Sequence, residues 1–368
     1  MKTVHVDLGR RSYNILIGPG LLEQLPRLLE KYQINRRLFV IANNTVFALH
    51  GERLVRALNS GGFQATQILI PDGEKYKTLE TLENIYTYLI AQGADRQSTI
   101  IALGGGVTGD VAGFVAATFY RGTPYIQLPT TLLAQVDSSI GGKTGVNHSL
   151  GKNLIGAFHQ PSLVCADTDT LATLPQREFQ SGMYEVLKYG LIYDADFFEY
   201  LEAHLEEMRS RRPGVIEEVI RRCCEIKAAV TSQDETEADL RRILNFGHTF
   251  GHGLEAAAGF GEISHGEAVG YGMIAAILLS ERRGYLDEPT AERLIRAICR
   301  IGPLPPISSL SLNEVLDAMR RDKKRRHDRL HFVLLKEIGK TVIESDLDQV
   351  TLAEIWARIS DCGRRSAD

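Results

Sequence analysis

The stretch Thr99-Ile100-Ile101-Ala102-Leu103-Gly104-Gly105-Gly106-Val107-Thr108-Gly109-Asp110 decides the fold. An apolar run ends in clustered glycines, and an apolar helical stretch follows. A short apolar run without alternation suits a strand buried on both faces of a parallel sheet. Gly104, Gly106 and Gly109 satisfy G-x-G-x-x-G between strand and helix. There, glycine lets the backbone approach a pyrophosphate, and the helix N-terminus offers N–H groups and a positive dipole. No Asp or Glu follows at the distance of about 20 residues where the usual fingerprint holds a ribose. The motif points to a dinucleotide site of non-standard wiring, against the plainer reading of a tight turn without ligand.

Outward from this motif the same alternation continues. Val4, Val6 and Leu8, then Tyr13, Ile15 and Ile17, have the period of strands. Leu38–Ala42 and Gln67–Ile70 are further apolar runs. A helical stretch from Val46 to Asn59 separates them, and Leu79, Leu82, Tyr86 and Leu89 recur at helical spacing up to Gly93. Strand–helix–strand–helix–strand reads as an α/β unit with a mainly parallel sheet. Beyond Leu174-Pro175 helical patterns dominate: Tyr184–Tyr193, Phe197–Met208, Val215–Ser232, Asp239–Ala258, His265–Arg283 and Pro289–Arg300, with one late strand at His331–Leu335. The expected division is an α/β domain over 1–175 and a mainly α-helical domain over 176–368.

Composition narrows the function. A chain of 368 residues is long enough for two cores. Its 42 Lys+Arg against 46 Asp+Glu leave a net charge of −4, no global footprint for nucleic acid or an anionic membrane. No run approaches the ~18 apolar residues of a membrane span, and Met1–Asp7 lacks a signal peptide's apolar core. Cys165, Cys223, Cys224, Cys299 and Cys362 show no CxxC spacing, so a reduced, cytoplasmic protein is expected.

A second glycine-rich loop, Gln135–Asn147, is flanked by Pro129-Thr130-Thr131 and Gly151-Lys152-Asn153. Its Lys143, with Lys152, suits a phosphate or carboxylate ligand, unless the segment is a surface loop. In Asn245-Phe246-Gly247-His248-Thr249-Phe250-Gly251-His252 two histidines share a helix face at i and i+4. Catalytic zinc commonly takes two imidazoles and a carboxylate. Spacing therefore selects His248 and His252 with Glu185, Glu255 or Glu267, and His265-Gly266-Glu267 opens another helix. The charged segments around Lys227, Glu237 and Arg241, and around Lys323-Lys324, read alone as solvated faces.

Together the motifs resemble the 3-dehydroquinate synthases, a family of sugar phosphate cyclases. The likeness runs in family order through Asp72–Lys77, Gly104–Asp110, Phe119–Gly122, Pro129–Thr131, Val136–Asn147, Gly151–Asn153, Gly182–Gly190, Leu244–His252 and His265–Glu267. It implies a Rossmann-like domain binding NAD, a helical metal-binding domain, and an active site in the cleft between them. The ligands of one divalent metal, zinc or alternatively cobalt, become Glu185, His248 and His265, and His252 is turned to substrate phosphate. NAD falls to Asp72, Gly73, Glu74, Lys75, Tyr76 and Lys77; to Gly106, Val107, Thr108, Gly109 and Asp110; and to Thr130, Thr131, Lys143, Lys152, Thr170, Leu171, Ala172 and Thr173. Glu74 and Lys77 supply the ribose or adenine contacts. Substrate contacts fall to Asp137, Lys143, Lys152, Asn153, Lys188, Lys227, Glu237, Arg241, Asn245 and His252. Arg121 reaches the neighbouring site of a homodimer.

The implied reaction turns DAHP, a seven-carbon keto-acid sugar phosphate, into 3-dehydroquinate and phosphate in the shikimate pathway. The chain departs from the family at Thr108, where an apolar residue is common, and at Asp328 and His331, where glycine and arginine are usual. A metal- and NAD-dependent polyol dehydrogenase would explain the cofactors but leaves the lysines, Arg241 and His252 without a common anion. A cyclase for another sugar phosphate and a non-catalytic binding protein are the remaining readings.

Overall fold

In the computed structural model the apolar runs of the first half become strands, and the described residues are 1–259, 262–323, 330–345 and 347–365. These strands are β1 (Lys2–Val6), β2 (Tyr13–Gly18), β3 (Arg37–Asn43), β4 (Gln64–Ile70), β5 (Thr99–Gly104), β6 (Tyr125–Pro129), β7 (Lys143–His148), β8 (Gly151–Phe158) and β9 (Leu163–Asp167). Seven of them form one sheet in the order β1-β2-β9-β6-β5-β3-β4. Its pairings are parallel apart from the β1–β2 edge. Among the helices, α1 (Leu21–Lys31), α2 (Asn44–Val46) and α3 (Glu52–Ser60) precede β4, while α4 (Leu79–Ala91) and α5 (Gly106–Thr118) flank β5.

Strand β3 shows how the layers arise. Successive side chains leave a strand on opposite faces. Leu38, Val40 and Ala42 join Leu21, Leu25 and Leu29 of α1 and Leu54 and Leu58 of α3 in one core. Phe39 and Ile41 join Leu82, Ile85 and Leu89 of α4 and Val111 and Val115 of α5 in the other. Burying each large side chain is worth ~1.5–3 kcal/mol, so both faces are specified by apolar burial. The chain steps from β3 out to β4, then returns to lay β5 on the other side of β3. That reversal, at the carboxyl ends of the strands, is where doubly wound sheets bind ligands.

From Gln176 the chain is largely helical: α6 (Gln176–Tyr193), α7 (Ala195–Ala203), α8 (Leu205–Arg209), α9 (Pro213–Gln233), α10 (His248–Ala258), α11 (His265–Arg282), α12 (Glu288–Cys299), α13 (Leu312–Lys323) and α14 (Gln349–Arg365). A hairpin of β10 (His331–Glu337) and β11 (Lys340–Ser345) precedes the last helix. The chain falls into two units, Met1–Pro175 with Pro213–Thr236, and Gln176–Arg212 with Glu237–Asp368. This departs from a single cut at 175. Helix α9 buries Val215, Val219, Ile220 and Cys223 and packs against β1 and β2, so it belongs to the sheet unit.

Three expected helices are interrupted. Between α2 and α3 lies a π-turn, Phe47–Gly51, in which Gly51 sits so close to the Phe47 ring that a Cβ would fall 2.2 Å from it. The stretch Phe197–Met208 breaks at His204 into α7 and α8. Asp239–Ala258 becomes a 3-10 turn, Leu240–Asn245, and then α10, separated at Gly247, whose φ of +79° favours glycine. No helix among the described residues is long and apolar enough to cross a membrane. Lys324 and Asp328 lie outside the described residues, and Lys323 is described by its backbone alone.

Candidate dinucleotide edge and metal centre

Four polar segments follow parallel strands in the sheet unit and so gather at one sheet edge. Asp72–Lys77 follows β4, Gly104–Asp110 follows β5, Thr130-Thr131 follows β6 and Thr170–Thr173 follows β9. Helix α5 starts at Gly106 with no capping side chain and no acidic residue in its first turn. Its N–H groups and dipole are therefore disposed toward an anion. The backbone of Gly109 packs on Gln127 of β6, where a Cβ would lie 2.9 Å from Oε1, so this glycine serves close helix–strand approach. The edge suits a dinucleotide by its donor chemistry.

A buried polar network sets this edge. Gln135, fully buried in a short π-turn, donates from Nε2 to the Pro129 carbonyl (3.1 Å), the Asp167 carbonyl (2.9 Å) and the Thr170 hydroxyl (3.2 Å). It ties the ends of β6 and β9 to the turn after β9. Thr173 donates to the Thr170 carbonyl (3.0 Å), and His50 meets the Thr173 hydroxyl at 3.0 Å. Asp167 accepts from the backbone N–H groups of Gly20 and Leu22 at the start of α1, while burial raises its carboxyl pKa. Sequence reading missed Gln135; the available signal was an amide inside the apolar run Leu132–Val136.

The second glycine-rich segment is mostly strand. After the π-turn, β7 pairs antiparallel with β8, Gly145 opposite Gly156. A Cβ on Gly156 would sit 2.1 Å from the Thr144 carbonyl, so this glycine permits hairpin packing. The hairpin presents Lys143 and Lys152. Lys77 is buried and paired with Asp110 and Asn153, and its carbonyl accepts from Asn147 (2.8 Å). Asn147 also donates to Glu74 (2.7 Å). As placed, Lys77 fixes the loop and hairpin together. Lys227, also buried, holds Asp137 by its carbonyl (2.6 Å) and carboxylate (2.7 Å). Arg121 follows α5 and precedes β6, at the opposite sheet edge, exposed and with a φ of +65°.

In the helical unit three distant residues converge. Glu185 of α6 is fully buried; its Oε1 lies 3.4 Å from His248 Nε2 and 3.6 Å from His265 Nε2. The donor atoms of all three lie within 4.8 Å of one another. Close helix packing makes this possible. A Cβ on Gly266 would lie 2.2 Å from the Ser181 carbonyl, and one on Gly272 1.8 Å from that of Gly247. Ser264 caps α11 in a capping box with Glu267, and Arg177 holds both Glu267 oxygens at 2.8 Å. Glu267 is thus a cap rather than a ligand, and Glu255 meets His265 Nδ1 at 3.2 Å.

The imidazoles are turned as metal ligands require. His248 Nδ1 lies 3.1 Å from the Phe246 carbonyl, which directs its Nε2 toward Glu185. His265 is turned alike by Glu255. Such partners on the second nitrogen fix tautomer and ring direction. Burial pulls the His248 pKa down to about 3. Burial opposes charge on His265 too, yet hydrogen bonds to Glu185 and Glu255 hold its pKa up at about 10. Lys188, one turn beyond Glu185, pairs with the same carboxylate. One carboxylate and two imidazoles fit a divalent cation in a catalytic site. His252 shares the face of His248, ring centroids 5.4 Å apart, but is exposed at the rim. Arg241 is buried, and Asn245 donates to Glu237 at 2.6 Å.

Known structures share this arrangement of elements. A 2-deoxy-scyllo-inosose synthase complexed with carbaglucose-6-phosphate, NAD+ and Co2+ is 30% identical, with a TM-score of 0.88, over 98% of this chain and 100% of that one. The 2-epi-5-epi-valiolone synthase of Streptomyces hygroscopicus subsp. jinggangensis, with NAD+ and Zn2+ bound, is 32% identical with a TM-score of 0.88, over 95% and 97%. Fold and site define a sugar phosphate cyclase. The N-terminal and C-terminal 3-dehydroquinate synthase family descriptions match residues 67–181 and 182–325. The 3-dehydroquinate synthase of Saccharophagus degradans is 48% identical over 99% of this chain and 100% of its own length. The chain belongs to the 3-dehydroquinate synthase family.

Proposed function

We propose that this chain converts DAHP to 3-dehydroquinate and inorganic phosphate, with NAD at the edge of the sheet unit and one divalent cation, zinc or cobalt, in the helical unit. The observation that carries the reading is the meeting of Glu185, His248 and His265 donor atoms within 4.8 Å, both imidazoles offering Nε2. When bound, NAD supplies a reversible hydride acceptor, and the cation supplies Lewis acidity toward a substrate hydroxyl.

The chain's own residues bind, orient and neutralise. DAHP carries a phosphate and a carboxylate, so it needs cations at two ends. Lys143, Lys152, Lys188, Lys227 and Arg241 supply them without making the chain basic overall. His252, one turn from His248 and exposed, takes the phosphate in this reading. Asp137, held by Lys227, and Asn153, Glu237 and Asn245 orient hydroxyls. Once C5 is a ketone, the C6 proton is acidic and phosphate leaves from C7; the departing phosphate serves as its own base. After C5 is reduced again the ring opens, and an intramolecular aldol addition closes the carbocycle. Holding one conformer is the dominant contribution. Arg121, on the opposite sheet edge, completes the site of a second copy in a homodimer. Cys165 and Cys224 are buried free thiols, in keeping with a cytoplasmic enzyme.

Metal-loaded protein is incubated with DAHP and catalytic NAD, and phosphate and NADH absorbance are followed. Phosphate release without NADH accumulation is expected. NADH growing in step with product would show a dehydrogenase instead, and silence in both channels a binding protein.

A further inference from the structure

The imidazoles of the donor set are oriented by unlike partners. His248 has a neutral carbonyl, that of Phe246 two residues before it in the chain. His265 has a full carboxylate, Glu255 Oε2, 3.2 Å from its Nδ1. Glu255 lies on α10, two turns beyond His248, and His265 opens α11. This contact therefore joins the two helices that carry the two imidazoles. Glu255 keeps 12% of its side chain exposed and His265 32%, so the pair is shielded from most screening by solvent. A carboxylate on the far nitrogen of a ligating imidazole selects the tautomer, fixes the ring and raises its basicity; a backbone carbonyl does the first two and less of the third.

We propose that Glu255 is a positioning residue for the cation centre: it accepts the Nδ1–H of His265, holds Nε2 toward Glu185, and makes His265 the stronger of the two imidazole ligands. The inference rests on the reading that Glu185, His248 and His265 hold a divalent cation. A rival use of the same atoms exists, since His252, Glu255 and His265 also offer donor atoms within 4.8 Å of one another. A second ion there would have to take His265 through Nδ1 while the first takes Nε2, leaving the ring no proton for Glu255. The contact of Glu255 with Nδ1, beside the approach of Nε2 to Glu185, favours one ion and a hydrogen-bonded carboxylate.

The full-length protein is stripped with a chelator and titrated with Co2+ against a competing indicator, with visible absorption and metal content recorded. Wild type is expected to hold one Co2+ per chain. Glu255→Gln keeps an acceptor of the same shape without charge and should weaken Co2+ about 10-fold; Glu255→Ala should weaken it about 100-fold. Both should shift the cobalt absorption bands, the Gln variant less, with an unchanged urea midpoint for the metal-free chains. A metal-free midpoint that falls in parallel with affinity in both variants would mark a general packing role and overturn the proposal. Wild-type affinity and spectrum in Glu255→Ala would overturn it too. Two ions per wild-type chain, falling to one in Glu255→Ala, would make Glu255 a ligand instead. A wild-type chain that takes up no Co2+ or Zn2+ would remove the cation centre itself, and this inference with it.

Discussion

The sheet unit and the helical unit present their chemistry with different parts of the chain. At the sheet edge the important groups are largely backbone, the N–H groups opening α5 and the loops ending β4, β6 and β9, set by parallel strand order. In the helical unit they are side chains 80 residues apart at the extremes, from Glu185 to His265, brought together because α10 and α11 approach their neighbours through glycine. Topology aligns the first site almost automatically, whereas the second depends on a few close backbone contacts. Damage should therefore be graded in the sheet unit and abrupt in the helical one.

The sharpest break is His248→Ala. It should abolish stoichiometric metal and phosphate release together, a larger loss than the ~10–100-fold expected of an outer partner. His252→Ala should retain the metal while raising the substrate KM. Equal metal loss in the two variants, read by elemental analysis, would refute the ligand assignment. Next is Gly266→Ala: a methyl group 2.2 Å from the Ser181 carbonyl must push α11 from α6. It should cost ~1–3 kcal/mol in urea unfolding and lower metal content, whereas Gly109→Ala, whose Cβ meets the end of a flexible glutamine, should do less.

Gln135→Leu tests the sheet edge. It strips a donor from the Pro129 and Asp167 carbonyls and the Thr170 hydroxyl, costing ~1–3 kcal/mol and weakening NAD in fluorescence titration. Unchanged metal content would separate the two sites; loss of metal would join them. The smallest effect is expected at Glu218, whose pKa is held down to about 2 by Arg221 and Lys2. A depressed carboxyl stabilises the fold above its ordinary value near 4.5 and loses that contribution as pH falls toward 2. The pair is partly exposed, so Glu218→Gln should cost only ~0.5–1 kcal/mol at pH 7. The gap should close on acidification, and a gap constant from pH 7 to pH 3 would exclude this ion pair as its source.

Legibility follows the same division. Thr99–Asp110 carries strand, turn and helix start in one window, and β3 and β4 follow from short apolar runs, which are local signals. The hairpin of β7 and β8 is hard to read from sequence because its glycines suit a loop as well as a close strand pair; here Gly145 and Gly156 pair closely. Among the candidate metal ligands, spacing alone joins His248 to His252, since a helix face is a local property. It had no means to choose His265, whose partnership with His248 is purely tertiary, and the family likeness supplied that choice. The family likeness also selects Glu185, but Gln135 and the partners of Glu255 and Glu267 are visible only in the fold, because a buried amide or carboxylate looks the same in sequence whatever it bonds to.

The return of α9 to the sheet unit has a consequence for biogenesis. A ribosome that has released the first 175 residues has made every strand of the main sheet but not the helix that lies against β1 and β2. That edge must wait, with its apolar face exposed, until residue 236 emerges. Nascent chains stalled between these two points should be the ones that most engage chaperones.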